Sequence, residues 1–289
     1  MSKVWLVTGS ANGLGRSIAE AVLNSGASLV ATARNIKSMD DLKERFGNRV
    51  LLVTLDVTDP VAAKNAIEQA VDTFGRLDVL VNNAGFGRIS PFEQTSEDDF
   101  LAQMDTNFFG VVNLIRAALP LMREQRSGHI INVSSVGGRI GNPGLSAYQS
   151  AKWAVGGLTE ALAQEIAPFG IKVIAVEPGG MRTNWGIAAV KDTPPLLVDY
   201  EPTVGTLTKM LNGYVGHEVG DPEKIAKVIV DLAKRDILPA HLLLGSDALH
   251  VFNEAEAHRI KAAAEWEAVS RSTDFDGSNL DLLTGNQTV

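Results

Sequence analysis

Tyr148 and Lys152 set a phenol and an ammonium group at i and i+4, at the head of a segment where Val155, Leu158, Leu162 and Ile166 recur at helical spacing. On a helix that spacing puts both heads on one face. An ordinary tyrosine, with a pKa of about 10, is a poor proton shuttle near neutrality, and a fixed cation beside it favours the phenolate. Bringing it near pH 7 takes about 3 units, or roughly 4 kcal/mol. That is much to ask of one lysine, so further positive potential is expected close by. Ser135 precedes this pair, and Gly137, Gly138, Gly141, Pro143 and Gly144 make the connection a non-helical loop that can fold the hydroxyl back beside the phenol. Taken alone, the pair reads equally well as a helix start with a surface lysine.

The elements that must hold these groups begin at the N-terminus. Val4-Trp5-Leu6-Val7 is an apolar run, Thr8 to Gly15 (TGSANGLG) is a glycine turn, and Ile18, Ala19, Val22 and Leu23 follow at helical spacing. In such a turn the backbone of Gly9, Asn12, Gly13, Leu14 and Gly15 can approach a pyrophosphate, with a helix N-terminus aimed at it. The bland alternative is a tight turn that binds nothing. A second apolar run, Ser28 to Ala33, ends where dinucleotide folds usually hold an acid for the adenosine ribose. Here Ala33 and Arg34 stand instead. A 2′-phosphate suits a planar guanidinium, so the expected cofactor is NADP(H) in preference to NAD(H), the alternative being a solvated arginine at a strand end.

A third run, Val50 to Leu55, leads to Asp56 and Val57, placed to meet an adenine. A helix from about Val61 to Phe74 leads to strand Val79–Val81 and to Asn82-Asn83-Ala84-Gly85, small enough for a second close approach to the cofactor. A long helical pattern from Glu97 to Glu124 carries Asn107 in an apolar neighbourhood. That amide must find partners, and a local helix distortion would supply them. His129 to Val133 is the fifth strand, delivering Ser134 and Ser135 to the carboxyl end of a sheet. Lys172 to Val176 is the sixth, followed by Glu177-Pro178-Gly179-Gly180 and Met181-Arg182-Thr183.

Residues 184–220 lose periodicity and are rich in bulky apolar groups, among them Trp185, Leu196, Leu197, Tyr200, Met210 and Tyr214, the composition of a lid over an apolar substrate. A helix at 222–235, a strand at 241–244 and a helix at 247–270 complete the body. The tail from Arg271 is polar and expected to be loosely held. Residues 1–250 are expected to form a dinucleotide-binding catalytic domain with its lid at 184–220, and 251–289 a C-terminal helical extension and tail.

Composition bounds the rest. The 289 residues are 45% hydrophobic and 21% charged, which suits a globular chain. A net charge of −8 without basic clusters argues against nucleic acid. With no cysteine there is no disulfide, thiolate zinc site or cysteine nucleophile, and the five histidines are scattered, so no metal is expected. No apolar run approaches the ~20 residues of a membrane helix. The first strand starts at Val4, which leaves no room for a leader, and the cytoplasm is the expected location.

Together these residues resemble the short-chain dehydrogenase/reductase family over residues 3–250. The likeness rests on Thr8–Gly15, Asp56, Asn82–Gly85, Asn107, Ser135, Tyr148, Lys152 and Pro178-Gly179 through Thr183, in the family's order and spacing. It implies an α/β fold: a single Rossmann-type doubly wound domain with about seven parallel strands, assembled as a homodimer or homotetramer. It also implies roles. Tyr148 would be the general acid/base, Lys152 would lower its pKa and hold the nicotinamide ribose, and Ser135 would orient the substrate oxygen. Asn107 would keep a proton-relay water, while Pro178, Gly179 and Thr183 would pack at the nicotinamide end. The implied reaction is hydride transfer between NADP(H) and a small-molecule alcohol or ketone, and the alternative is an NADP(H)-binding regulatory protein without turnover.

Overall fold

Seven apolar runs form strands: β1 (Val4–Thr8), β2 (Ser28–Ala33), β3 (Val50–Thr54), β4 (Val79–Asn82), β5 (Gly128–Val133), β6 (Ile171–Pro178) and β7 (His241–Leu244). All pair in parallel, in the order β3-β2-β1-β4-β5-β6-β7. Parallel neighbours need crossovers that cover the sheet, and strands covered on both faces become apolar throughout. Every residue of β1 and of β5 is accordingly buried. The computed structural model describes residues 2–191 and 195–278; the lid stretch 192–194 and the end of the tail, 279–289, lie outside the described residues.

The helices are α1 (Gly13–Asn24), α2 (Asp40–Phe46), α3 (Pro60–Phe74), α4 (Glu97–Met104), α5 (Gly110–Gln125), α6 (Ser146–Ile166), α7 (Asn184–Lys191), α8 (Thr206–Tyr214) and α9 (Pro222–Leu232) in the crossovers, with α10 (Ser246–Glu265) and α11 (Glu267–Arg271) after β7. Strand residues alternate between two cores. Trp5, Val7, Leu29, Ala31, Val79 and Val81 meet Ile18 and Val22 of α1 and Ile225 and Ile229 of α9. On the other face Leu6, Val30, Leu80 and Ile130 meet Ile67 of α3, Leu114 of α5 and Val155 and Leu162 of α6. Burying one such side chain contributes about 1.5–3 kcal/mol, which fixes each helix to its face.

Helix starts carry their own signals. Asp59 accepts from the N–H groups of Val61 and Ala62 ahead of Pro60, and Asp221 does the same for Glu223 and Lys224 ahead of Pro222. Because β1 has β2 on one side and β4 on the other, the strand order reverses there, and the carboxyl ends of β1 and β4 open a crevice.

The pattern from Glu97 to Glu124 carries the expected distortion at Asn107: α4 and α5 are joined there by a π-helical turn, Asp105–Phe109. The structure corrects three other expectations. The expected aperiodic lid is largely helical: α7, a turn at Val198–Tyr200, a π-helical turn at Glu201–Gly205, and α8. Its apolar residues close a small core of their own, in which Ala189, Val204, Trp185, Leu196, Tyr200 and Leu207 pack on Ile89 and Leu145. The helix expected at 222–235 ends at Leu232, and the last helical stretch breaks at Trp266. Among the described residues, no helix is long and apolar enough to cross a membrane.

Candidate active site

The crevice is organised by Thr8 at the end of β1. Its hydroxyl accepts from the backbone N–H groups of Asn83 and Ala84, each at 2.9 Å, and Asn83 Nδ2 donates back to the Thr8 carbonyl at 2.8 Å. These bonds lay the Asn83–Gly85 segment against the glycine turn. Gly9 and Gly13 have positive φ, 69° and 53°, a region that costs any residue with a Cβ. A Cβ at Gly15 would collide with the Gly9 carbonyl and the Asn83 amide. Behind Asn12 the first turn of α1 carries no acid and receives no side-chain cap. Its free N–H groups and the positive end of the helix dipole therefore face the crevice, next to the buried Leu14. A pyrophosphate fits that cradle. Thr183 reaches the same turn from the other side, its Cβ 3.6 Å from where a Cβ at Gly13 would lie.

At the far end of the crevice Arg34 is exposed beyond β2 and, among the described residues, has no ion-pair partner. Arg16, the other guanidinium by the turn, is taken up by Asp41 and Glu20. Asp56 accepts from the N–H of Thr58 at 3.0 Å and from its hydroxyl at 2.8 Å. Those bonds hold its carboxyl below the usual range, and the Arg34 charge adds to them. Val57 is buried beside it, its carbonyl accepting from Asn113 at 3.0 Å.

At the other end, the loop from Ser135 folds back on α6 as its glycines anticipate. Ser135 Oγ accepts from the Gly137 N–H at 3.0 Å, and the Ser135 side chain lies close enough to the Tyr148 phenol to favour its ionised form. A Cβ at Gly138 would lie 2.8 Å from the Lys152 carbonyl, so only glycine lets loop and helix meet this closely. Lys152 Nζ donates to the Val133 carbonyl at 2.9 Å and stands 5.7 Å from the Tyr148 ring centroid. Asn107, fully buried, donates to the Phe86 carbonyl at 2.7 Å and the Gln103 carbonyl at 2.8 Å, while its Oδ1 accepts from the Phe86 N–H at 3.2 Å. Gly85 is where the two groups meet: a Cβ there would lie 2.6 Å from Asn107 Oδ1 and 3.6 Å from Lys152 Nζ.

Burial governs the electrostatics of this pair. It pushes the Tyr148 phenol up to about 12, against the opposing pull of the Ser135 side chain, and pushes the Lys152 ammonium down to about 8. Desolvation disfavours both charged forms. Trp185 of α7 contributes to that burial, its ring centroid 5.2 Å from that of Tyr148 at an interplanar angle of 50°. Gly87 makes room for it, since a Cβ there would lie 2.6 Å from the indole.

A family model described as short chain dehydrogenase matches residues 3–193. The chain belongs to the short-chain dehydrogenase/reductase family. It is therefore an oxidoreductase of the group that binds a nicotinamide cofactor and acts on small molecules. It is 45% identical over 271 residues to Oxidoreductase BOA17 of Botryotinia fuckeliana (strain B05.10), covering 93% of this chain and 98% of that protein. The structure of a short-chain dehydrogenase from Streptomyces avermitilis superposes with a TM-score of 0.87 at 38% identity, covering 95% of this chain and 100% of the other. An alcohol dehydrogenase from the archaeon Thermococcus sibiricus, complexed with 5-hydroxy-NADP, gives a TM-score of 0.70 at 25% identity, covering 85% and 97%.

Against that family frame, the motif residues form three groups along one crevice. Gly9, Asn12, Gly13, Leu14, Gly15, Asn83, Ala84 and Thr183 lie at its middle; Arg34, Asp56 and Val57 lie at the β2–β3 end; Asn107, Ser135, Tyr148 and Lys152 lie at the β5 end. Pro178 is buried at the end of β6, and the Gly179 N–H donates to the Leu244 carbonyl at 3.0 Å. Sequence reasoning missed several contacts. Asn82 donates to Asn132 at 2.9 Å, Asn132 to Thr159 at 3.0 Å and Thr159 to the Val155 carbonyl at 2.8 Å, a polar chain through the core behind Ser135. The polar Asn132 inside an otherwise apolar strand was a visible signal for it. His241 bridges the buried Glu177 at 2.6 Å and Glu160 at 2.9 Å, a pairing that needs β6, β7 and α6 to be assembled. Among the described residues, no cluster of three or more metal-ligating side chains is present.

Proposed function

We propose that the chain transfers a hydride between NADP(H) and a secondary alcohol or ketone with apolar substituents. The observation that carries this reading is the phenol of Tyr148, flanked by the Ser135 side chain and the buried amine of Lys152, at the carboxyl end of a sheet whose crevice suits a dinucleotide. When bound, the nicotinamide supplies or accepts the hydride. In this reading the adenosine phosphate meets Arg34, the adenine meets Asp56 and Val57, and the pyrophosphate meets the Gly9–Gly15 turn. Gly85, Lys152, Pro178, Gly179 and Thr183 hold the nicotinamide end.

Ser135 orients the substrate oxygen and donates to it as negative charge develops there. Tyr148 delivers its proton to that oxygen in reduction and takes it up in oxidation. With its pKa at about 12 the phenol is protonated at neutral pH and ready for the reductive direction. Lys152, while charged, stabilises the phenolate left behind. Asn107 holds the π-helical turn and the Phe86 carbonyl in register for the return of the proton from solvent. The apolar lid residues Trp185, Leu196, Tyr200 and Leu207 cover the substrate and exclude water.

The Arg34 placement supports NADP(H) over NAD(H), as does the alcohol dehydrogenase neighbour whose structure holds 5-hydroxy-NADP. Exposed Phe109 and Trp153 beside the helices that hold the site support assembly as a homodimer or homotetramer, which light scattering reads directly. The test of the chemistry is Tyr148→Phe, assayed by NADPH absorbance over a panel of apolar ketones. Turnover should fall by about a thousandfold, within the range general acid–base catalysis supplies, with NADPH affinity little changed. Undiminished turnover would remove Tyr148 from the reaction.

A further inference from the structure

Asp247 lies in the first turn of α10, beyond the residues matched by the family model, and none of the sequence motifs includes it. Its Oδ2 accepts from the Gly180 N–H at 2.7 Å and lies 3.4 Å from the Tyr214 hydroxyl at the end of α8. That hydroxyl in turn accepts from the Val219 N–H at 3.3 Å. The Gly179–Met181 turn is thus gripped from three sides. Gly179 N–H donates to Leu244 of β7, Gly180 N–H to Asp247 of α10, and the Gly180 carbonyl accepts from the Gly220 N–H at 2.9 Å where the lid returns to the body.

The glycines here serve that grip. A Cβ at Gly179 would collide with both carboxylate oxygens of Asp247, and one at Gly180 would lie 2.6 Å from the Tyr214 ring. Gly245, at φ 114°, would place a Cβ 2.5 Å from Asp247 Oδ1. Three glycines therefore converge on one carboxylate and one phenol. The turn then leads within a few residues to Thr183 against the nucleotide turn and Trp185 against Tyr148. Thr183 N–H donates to the Met181 carbonyl at 2.7 Å, and the Thr183 hydroxyl accepts from the Trp185 N–H at 3.4 Å.

Resting on the function proposed above, we infer that Asp247 is a positioning residue: it ties the C-terminal extension, the turn at the nicotinamide end and the base of the lid into one unit, and so sets where Thr183 and Trp185 stand. It touches neither the Tyr148 phenol nor Lys152. Its effect should therefore appear in binding constants and leave the acid–base chemistry in place.

The test uses the full chain with Asp247→Ala, Asp247→Asn and Tyr214→Phe. NADPH affinity is read by fluorescence, KM and kcat on the best ketone of the panel, and folding by thermal melting. A charge-assisted hydrogen bond contributes enough for D247A to raise the ketone KM by about tenfold and the NADPH Kd by at least about threefold, with kcat and its pH profile much less affected. D247N should recover most of both constants, because its amide oxygen still accepts from Gly180. Y214F should raise KM and leave NADPH affinity unchanged.

A folded D247A with KM and Kd within about twofold of the parent overturns the inference. So does D247N as impaired as D247A, with a lowered melting temperature accounting for both. If D247A does not fold, Y214F decides: a raised KM supports the inference and an unchanged one overturns it. A parent chain inactive on every ketone would instead sink the reaction proposed above, and the NADPH affinities of D247A and D247N would still test the grip.

Discussion

Replacing Arg34 by Asp exchanges a guanidinium for a carboxylate beside Asp56, whose charge Arg34 now partly offsets. A 2′-phosphate would then face two carboxylates, whereas ribose hydroxyls would gain an acceptor. Arg34→Asp is expected to reverse the NADPH-to-NADH ratio of kcat/KM by roughly tenfold to a hundredfold, the worth of one charge-assisted pair. Equal use of both cofactors by the parent would remove this role. Lys152 gives a second test. Its folded pKa, about 8 against an ordinary 10.5, means that the unfolded chain binds more protons between those values. Stability therefore rises with pH across that window, by roughly 3 kcal/mol in all, while below pH 8 the full burial penalty is present. Lys152→Met should abolish the rise in denaturant midpoints between pH 8 and 10, and parallel curves for the two proteins would contradict the buried ammonium. The Tyr148 shift has the opposite sign and acts only above pH 10. The spacing of Tyr148 and Lys152 was legible because a helix fixes it locally. Their pKa values were not, because the burial comes from neighbours that only the tertiary fold supplies, among them Trp185 and Gly87 beside Tyr148.

At the scale of elements, the β1–turn–α1 unit has no slack. A methyl at Gly15 meets the Gly9 carbonyl on one side and the Asn83 amide on the other, so the end of β4 and the start of α1 must separate to admit it. Gly15→Ala is expected to weaken NADPH binding by about a hundredfold and to destabilise the fold by about 1–3 kcal/mol, the usual toll of overpacking. Fluorescence titration and thermal melting check the two effects, and parental affinity would mean the cradle lies elsewhere. The strands were readable because burial on both faces leaves unbroken apolar runs such as Val4–Val7 and Val79–Val81. The lid helices were not. Each is short, and Ala189, Val204 and Leu207 find their partners in Ile89 and Leu145, far away in the chain. The distortion at Asn107 could be foreseen from the cost of burying an amide, and the structure realises it as a π-helical turn.

Across the whole molecule, the glycine turn, the Ser135 loop, the Pro178-Gly179 turn and the lid all hang from the carboxyl edge of one sheet, so the crevice is a property of the strand order and not of any single segment. β1 is an interior strand of the sheet, between β2 and β4. β1 finds β2 almost at once, yet its other flank waits for Val79–Asn82, and the Gly180 turn waits for Asp247, long after Tyr148 and Lys152 have been made. A nascent chain thus carries Tyr148 and Lys152 through about a third of its synthesis before the residue that braces the Gly180 turn is made. The Gly180 turn, and with it Thr183 and Trp185, takes its final place late, once α10 is made.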